Sequence, residues 1–290
     1  MLPRTTAWLL WPCIVALPVW LASMGAHERL FPASWWQDNA YFAGCPSPLG
    51  LLLGLTSVAC GMFFVVLYHW AHVRGILGGT PTPVQRNGYA PYSFWVGLRT
   101  HLSQPEGFVM LGGYLGGTWM LGLMPQSYYN YEGGINWLHV ALQLLLQDFV
   151  QFLMHLGEHK ISAAFYRSSH KPHHRFTSPR LFDAFDGSPA DTLCMILIPL
   201  YVTALAVPAN VWSYMTFGSL YANWLTLIHS EFHHPWDPVF QSLGLGSAAD
   251  HHVHHKLFVW NFGHLFSYWD RLLGSYRHPR GVKHFTLSSL

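Results

Sequence analysis

Residues 137–159 read WLHVALQLLLQDFVQFLMHLGEH, and this stretch predicts both a membrane-spanning helix and the start of a functional site. The part from Trp137 to Met154 is mostly apolar, and its length is close to the roughly 20 residues that a spanning helix needs. Polar side chains recur along it at every fourth position: Gln143, Gln147, Gln151, His155 and His159. Positions four apart share one face of a helix, so we expect this stripe to face the interior of a helix bundle.

The rest of the chain also has the composition of a membrane protein. Of its 290 residues, 51% are hydrophobic and 10% are charged, whereas a soluble domain carries roughly 25% charged residues. This balance excludes a soluble globular fold and a disordered chain. The four Cys are scattered without disulfide or metal-ligand spacing, and a net charge of +2 gives no basis for nucleic-acid binding.

Apolar runs predict an all-α, polytopic membrane helix bundle with four full spans and a short helical hairpin. The predicted full spans are Ala7–Ser23, Leu49–Trp70, Phe108–Met124 and Trp137–Met154, and the hairpin arms are Thr192–Val207 and Val211–Ile228. The hairpin arms are short for complete crossing, and the first run also has features of a signal peptide. We expect one integral-membrane domain over 1–290, with N-terminal spans in 1–136 and a catalytic region in 137–281.

The distribution of basic residues predicts the orientation. If the spans alternate, every Lys and Arg except Arg29 lies on one side, and positive residues favour the cytosol. Residues 71–107, 155–191 and those after Ile228 are therefore predicted to be cytosolic.

The cytosolic side carries a set of histidines with spacings suited to metal binding. Ten candidate ligands are His155, His159, His170, His173, His174, His229, His233, His251, His254 and His255. Residues three or four apart share a helix face, whereas His234 and His252 fall off those faces. Pro172 suits the first turn of a helix, which would carry His173 and His174. One metal cannot use ten ligands, so the set predicts a two-metal site, and imidazole suits Zn, Cu, Fe and Ni.

Carboxylates near the candidate ligands are expected to support them. Asp148 shares a face with His155 and His159, which makes it a candidate acceptor for ligand imidazoles, the alternative being part of an interior polar stripe. Glu158, Glu231 and Asp250 are further candidates because each is close in sequence to a histidine group. No other catalytic residue is predicted.

The histidine groups resemble those of the sterol desaturase/fatty acid hydroxylase superfamily over residues 137–281. His170-Lys171-Pro172-His173-His174 is similar to the second histidine box of sterol C-5 desaturases (lathosterol oxidases), and 261–264 and 269–277 resemble their closing segment. Ser230-Glu231 departs from the Gly-Asp type sequence of those desaturases. The resemblance implies two Fe ions held by the ten histidines, with Zn as an alternative metal in purified samples.

The resemblance also implies a lipid oxidoreductase of sterol biosynthesis in the endoplasmic reticulum membrane. Its reaction would use O2 and electrons from NAD(P)H through cytochrome b5 and its reductase, with a sterol or an acyl chain as substrate. Hydroxylation, as in C-4 methyl sterol oxidases or fatty acid 2-hydroxylases, is the alternative to desaturation. A histidine-rich metal transporter and a b-type haem protein are alternatives from other classes, although both would place ligands deeper in the membrane.

Overall fold

The computed structural model describes residues 15–35, 46–87, 91–104 and 109–286. Within these ranges the chain is helical, and the strand-like contacts found there are three isolated bridges. The α-helices, in chain order, are α1 Val15–Leu21, α2 His27–Leu30, α3 Leu49–Val73, α4 Phe94–Leu102, α5 Leu111–Met120, α6 Trp137–Lys160, α7 Ala163–Ser168, α8 Pro189–Ala206, α9 Val211–Leu227, α10 Asp237–Ser242, α11 Ala248–Leu257 and α12 Tyr268–Leu272. Helix α8 includes a π-helical turn at Leu193–Leu197.

Three described helices, α3, α6 and α8, are long and apolar enough to cross a membrane. Large apolar side chains such as Phe63 on α3 and Leu138 on α6 are exposed, as expected for surfaces in contact with lipid. The all-helical membrane architecture is thus confirmed, but the predicted count of four full spans is not. The run Ala7–Ser23 lies partly outside the described residues. In the described part of the run Phe108–Met124, residues 109–124, two π-helical residues lead into the 10-residue helix α5.

The predicted hairpin corresponds to α8 and α9, and its first arm is longer than expected. The Ser188 hydroxyl accepts a hydrogen bond from the Asp191 backbone N–H and so caps α8 before Pro189. Starting the helix there, instead of at Thr192, gives 18 residues, enough to cross a membrane.

Helix α9 is the central element of the bundle and leads to the site. It packs against α1, α3 and α6, and 14 of its 17 residues are buried. Trp212, Phe217 and Trp224 along it are almost completely inaccessible. A helix that is buried on nearly all faces is held by close packing around its whole circumference. The position of its C-terminal end, next to the site, is therefore set by this packing.

Candidate metal centre

Two helices and one tight turn present most of the predicted histidines. His155 and His159 lie in the last turns of α6, and His251, His254 and His255 lie on α11. His173 and His174 belong to a single 3₁₀ turn, His173–Arg175, that follows Pro172. The helix expected to begin at Pro172 is a single 3₁₀ turn, and Pro172 lies directly before it instead of within it.

Nine of the ten predicted ligands come together in two groups. The first group consists of His155, His159, His170, His174 and His254, and the second group of His173, His229, His251 and His255. Within each group the nearest ring nitrogens lie within 4.8 Å of one another, and nearly all the side chains are buried. Each group draws on segments far apart in sequence, so the centre exists only in the folded chain.

Backbone carbonyls determine which ring nitrogen faces the centre. The Nδ1–H groups of five histidines donate to main-chain oxygens: His155 to Phe262 (2.7 Å), His173 to Asp186 (3.0 Å), His229 to Leu225 (2.6 Å), His254 to Trp260 (2.8 Å) and His255 to Phe176 (2.8 Å). A carbonyl oxygen can only accept, so Nδ1 carries the proton and Nε2 carries the lone pair. This arrangement of the outer nitrogen is typical of metal-bound histidine.

The inward nitrogens then face one another without a proton between them. In the first group, Nε2 of His155 and Nε2 of His170 are 2.9 Å apart, and in the second, Nε2 of His173 and Nε2 of His229 are 3.3 Å apart. His173 and His229 both donate through Nδ1 to carbonyl oxygens, so this pair brings two lone pairs together, and the His155–His170 pair does the same when Asp191 is ionised. A cation between them removes that repulsion. The donor set of each group therefore fits a metal ion.

Burial keeps the imidazoles in the neutral form that binds metals. It is the main cause that lowers the pKa of His170, His251, His254 and His255 well below the ordinary value, and neighbouring imidazoles lower it further. Burial likewise lowers the pKa of His173. Neutral rings have a free lone pair on Nε2, so protons do not compete with a metal near neutral pH.

One ligand candidate is oriented by a carboxylate that the sequence did not indicate. The Nδ1–H of His170 donates to Oδ1 of Asp191 at 2.6 Å. Glu158, which was predicted as a supporting carboxylate, lies close by, with Oε2 3.6 Å from the same nitrogen. Asp191 is 21 positions from His170 and lies on α8, whereas His170 lies in a turn after α7. In the sequence, the one local feature of Asp191 is its place three residues after Ser188, the residue that caps α8.

Asp148 contacts the closing segment, taken from here on as residues 260–277, rather than a ligand imidazole. Its carboxylate accepts hydrogen bonds from the backbone N–H groups of Leu265 (2.7 Å) and Phe266 (2.9 Å) and from the indole of Trp269 (3.1 Å). It therefore holds the segment whose Phe262 carbonyl orients His155. Asp148 was expected to accept a hydrogen bond from a ligand imidazole. It instead supports His155 indirectly, through the segment that contains Phe262.

Glu231 and Asp250 also bind groups other than the ligand candidates. Glu231 accepts from the Tyr92 hydroxyl (2.6 Å) and lies 3.5 Å from His69. Burial opposes its ionisation, but the charge and hydrogen bonds of His69 and Tyr92 outweigh it and lower the pKa of Glu231 to about 2. Asp250 forms the capping box of α11 with Ser247, which fixes the helix that carries three histidines.

His233 is the predicted ligand that joins neither group. The prediction placed His229 and His233 on one helix face, but α9 ends at Leu227 and both residues follow it. The His233 backbone N–H donates to the Thr82 carbonyl instead, and its ring lies 3.6 Å from Asp237. Without the helix, a spacing of four residues no longer directs both side chains to one point.

His264 was assigned no role from the sequence, yet it lies between the two groups. Its ring centroid is 5.0 Å from that of His155 in the first group and 5.1 Å from that of His251 in the second. Its Nδ1 is buried and has no hydrogen-bond partner. The only sequence signal for it is its place in the Asn261–His264 segment.

The centre adjoins a small cavity and a large one. His170, His173, His229 and His264 line a cavity of about 40 Å³. A second cavity of about 810 Å³ lies among α3, α4, α5, α8 and α9, and its walls are almost entirely apolar. An apolar cavity of this size among membrane helices suits a lipid-soluble molecule.

Comparison with known proteins identifies the class. The sequence model of the fatty acid hydroxylase family matches residues 140–275. An alternative squalene epoxidase from Phaeodactylum tricornutum is 54% identical over 277 residues, which cover 94% of this chain and 80% of that protein. No solved structure is significantly similar to the chain.

More distant relatives are sterol desaturases. A Delta(7)-sterol 5(6)-desaturase from Aspergillus fumigatus is 30% identical over 143 residues, which cover 49% of this chain and 40% of that protein. A lathosterol oxidase from Rattus norvegicus is 32% identical over 149 residues, 49% of this chain and 48% of that protein. The chain belongs to the sterol desaturase/fatty acid hydroxylase superfamily, and the names of its relatives indicate an oxidoreductase.

Proposed function

We propose that this protein is an O2-dependent lipid oxygenase that epoxidises a carbon–carbon double bond of a linear isoprenoid hydrocarbon such as squalene. The observation that carries the proposal is the 54% identity to an alternative squalene epoxidase over 94% of the chain. That similarity spans both the histidine groups and the α3 wall of the large cavity. A match of 143 residues, as for the fungal desaturase, is too short to include both Gly50 on that wall and His255.

Two metal ions, one in each histidine group, are part of the proposal. Five histidines would hold one ion and four the other, with iron as the metal expected for this superfamily. When bound, such a centre supplies the reductive activation of O2. The chain itself orients Nε2 of each ring, through main-chain carbonyls and Asp191, and keeps bulk water away by burial.

The reaction balances with O2 and an external electron donor. One oxygen atom adds across the double bond, and the other leaves as water after taking up two electrons and two protons. We propose that NAD(P)H supplies the electrons through cytochrome b5 and its reductase on the cytosolic side. The basic residues of 155–191 and those after Ile228 favour that side for the two histidine groups, and we propose the endoplasmic reticulum as the membrane.

Sterol desaturation is the second candidate. Similarity to sterol 5(6)-desaturases and a lathosterol oxidase supports it, at 30–32% identity over about half the chain. In that reaction two adjacent C–H bonds lose hydrogen, O2 and two external electrons are consumed, and two water molecules form. The same centre can serve epoxidation or desaturation, so we propose that the shape of the substrate cavity determines which of the two reactions occurs.

Expression in two eukaryotic hosts tests the proposal. One host lacks its own squalene epoxidase and the other lacks its own sterol C-5 desaturase. We expect squalene epoxide to form in the first host and the sterol profile of the second to stay unchanged. A His173→Ala variant controls for host background. Restored 5(6)-unsaturated sterols without squalene epoxide would replace the proposal with the desaturase function, and new hydroxylated lipids alone would indicate a hydroxylase.

A further inference from the structure

The large apolar cavity and the small histidine cavity share part of their walls. Phe185, Ile196 and Leu225 line both, and they are apolar residues from three different segments. A residue that faces two adjoining cavities stands at the boundary between them. A molecule that enters from the apolar side must therefore pass these three side chains to reach the histidines.

The two cavities differ strongly in size and chemistry. The small cavity measures about 40 Å³, and a single water-sized sphere needs about 10–15 Å³, so it has room for only a few non-hydrogen atoms. The large cavity, at about 810 Å³, accommodates the remainder of a long chain. The boundary thus separates the part of a substrate that reacts from the part that is only held.

Each boundary residue also lies at or near a group that orients a histidine. The carbonyl of Leu225 accepts the 2.6 Å hydrogen bond that orients His229. Ile196 lies in the π-helical turn of α8, five positions after Asp191, which orients His170. Phe185 directly precedes Asp186, whose carbonyl accepts from His173. The boundary therefore has a fixed position relative to both histidine groups, and π-helical turns are frequent at functional sites.

We propose that Phe185, Ile196 and Leu225 form a threshold that limits how far a linear hydrocarbon enters the histidine cavity and so determines which of its bonds is oxidised. This inference rests on the proposed function. The space between the three side chains admits the end of the hydrocarbon, and their bulk excludes the interior of the hydrocarbon. Smaller side chains at the threshold should let internal double bonds reach the centre.

The first experiment compares the products of threshold variants. Ile196→Ala and Phe185→Leu are assayed with squalene, and Leu55→Ala, which widens only the large cavity, is the matched control. Missing methylene groups in an apolar pocket change discrimination by roughly 10-fold or more, so the ratio of internal to terminal epoxide should rise about 10-fold in the two threshold variants. The control should keep the product ratio of the unmodified protein. An unchanged ratio in both active threshold variants would overturn the proposal.

A second measurement does not depend on turnover. The saturated analogue squalane, labelled with ¹³C at individual methyl groups, is bound to protein loaded with paramagnetic Co²⁺, and methyl relaxation reports proximity to the metals. In the unmodified protein we expect strong relaxation only at terminal methyl groups, and in Ile196→Ala also at internal ones. Identical profiles in both proteins, or no relaxation at any methyl group, would contradict the threshold.

The two measurements also separate this inference from the proposed function. If Ile196→Ala shifts the squalane profile but the unmodified protein forms no squalene epoxide, the threshold stands and the proposed reaction fails. If epoxide forms and neither the product ratio nor the relaxation profile changes, the reaction stands and the threshold fails.

Discussion

The metal centre and the interface between α3 and residues 230–237 are both rich in buried histidines, but they use the ring nitrogens differently. At the interface, Nε2–H of His234 donates to the Leu227 carbonyl (3.2 Å), and its Nδ1 accepts from the Tyr68 hydroxyl (2.8 Å). His72 donates through Nε2 to the His233 carbonyl at 3.2 Å. In the metal centre, by contrast, Nε2 atoms of different rings face one another.

The difference shows that burial and a lowered pKa do not by themselves distinguish a ligand from a structural histidine. Burial lowers the pKa of His234 to about 4, and burial also lowers the pKa of His170. What separates the two is the partner of the inward nitrogen. A nitrogen paired with a protein donor or acceptor stabilises packing, whereas two nitrogen lone pairs that face each other repel unless a cation lies between them.

The largest expected effect is the loss of metal when one histidine of either group is removed. His254→Ala, in the first group, and His173→Ala, in the second, should each reduce metal content from about two ions per chain to about one or fewer, as measured by elemental analysis of purified protein. His252→Ala is the matched control, because its Nε2 donates to the Ser230 carbonyl at 3.0 Å. Full metal content in both ligand variants would show that these histidines are not metal ligands, and the distinction from the structural histidines would fail.

A smaller effect is expected when the orienting carboxylate is neutralised. Asp191→Asn keeps the shape of the side chain but weakens the hydrogen bond to His170, so metal affinity at the first group should fall roughly 10–100-fold. Competition with a chelator measures this affinity. In the control Asp186→Asn, the main-chain carbonyl that orients His173 is unchanged, so affinity should be retained. Equal losses in the two variants would mean that Asp191 acts through general charge rather than through His170.

The smallest effect is expected at the interface. Tyr68→Phe removes the hydroxyl that donates to His234, and a lost buried hydrogen bond destabilises a protein by about 1 kcal/mol. Thermal unfolding in detergent should therefore occur at a lower temperature, while metal content stays the same. A loss of metal in this variant would show that the interface and the centre are not separable.

Features confined to one stretch of sequence could be predicted. The helices at Leu49–Val73 and Trp137–Lys160 follow from continuous apolar runs, and the spacing of His251, His254 and His255 follows from one helix face. The distribution of nine histidines between two groups could not be predicted, because it depends on how distant segments pack.

The differences at His233, Asp191 and His264 have the same origin. His233 was expected to share a helix face with His229, but the position where α9 ends is set by tertiary packing. Asp191 and His264 acquire their neighbours only when α8 and the closing segment dock beside α6. Local patterns cannot report contacts that chain folding creates.

The docking of the closing segment has a consequence for biosynthesis. The carbonyls of Trp260 and Phe262 orient His254 and His155, and this segment is held by Asp148 through residues 264–269. A nascent chain lacks these groups until residues 260–269 have been translated. If the two histidine groups hold metal ions as proposed, stable loading must follow translation of residues 260–269, and a chain truncated before Trp260 would enter the membrane without a complete centre.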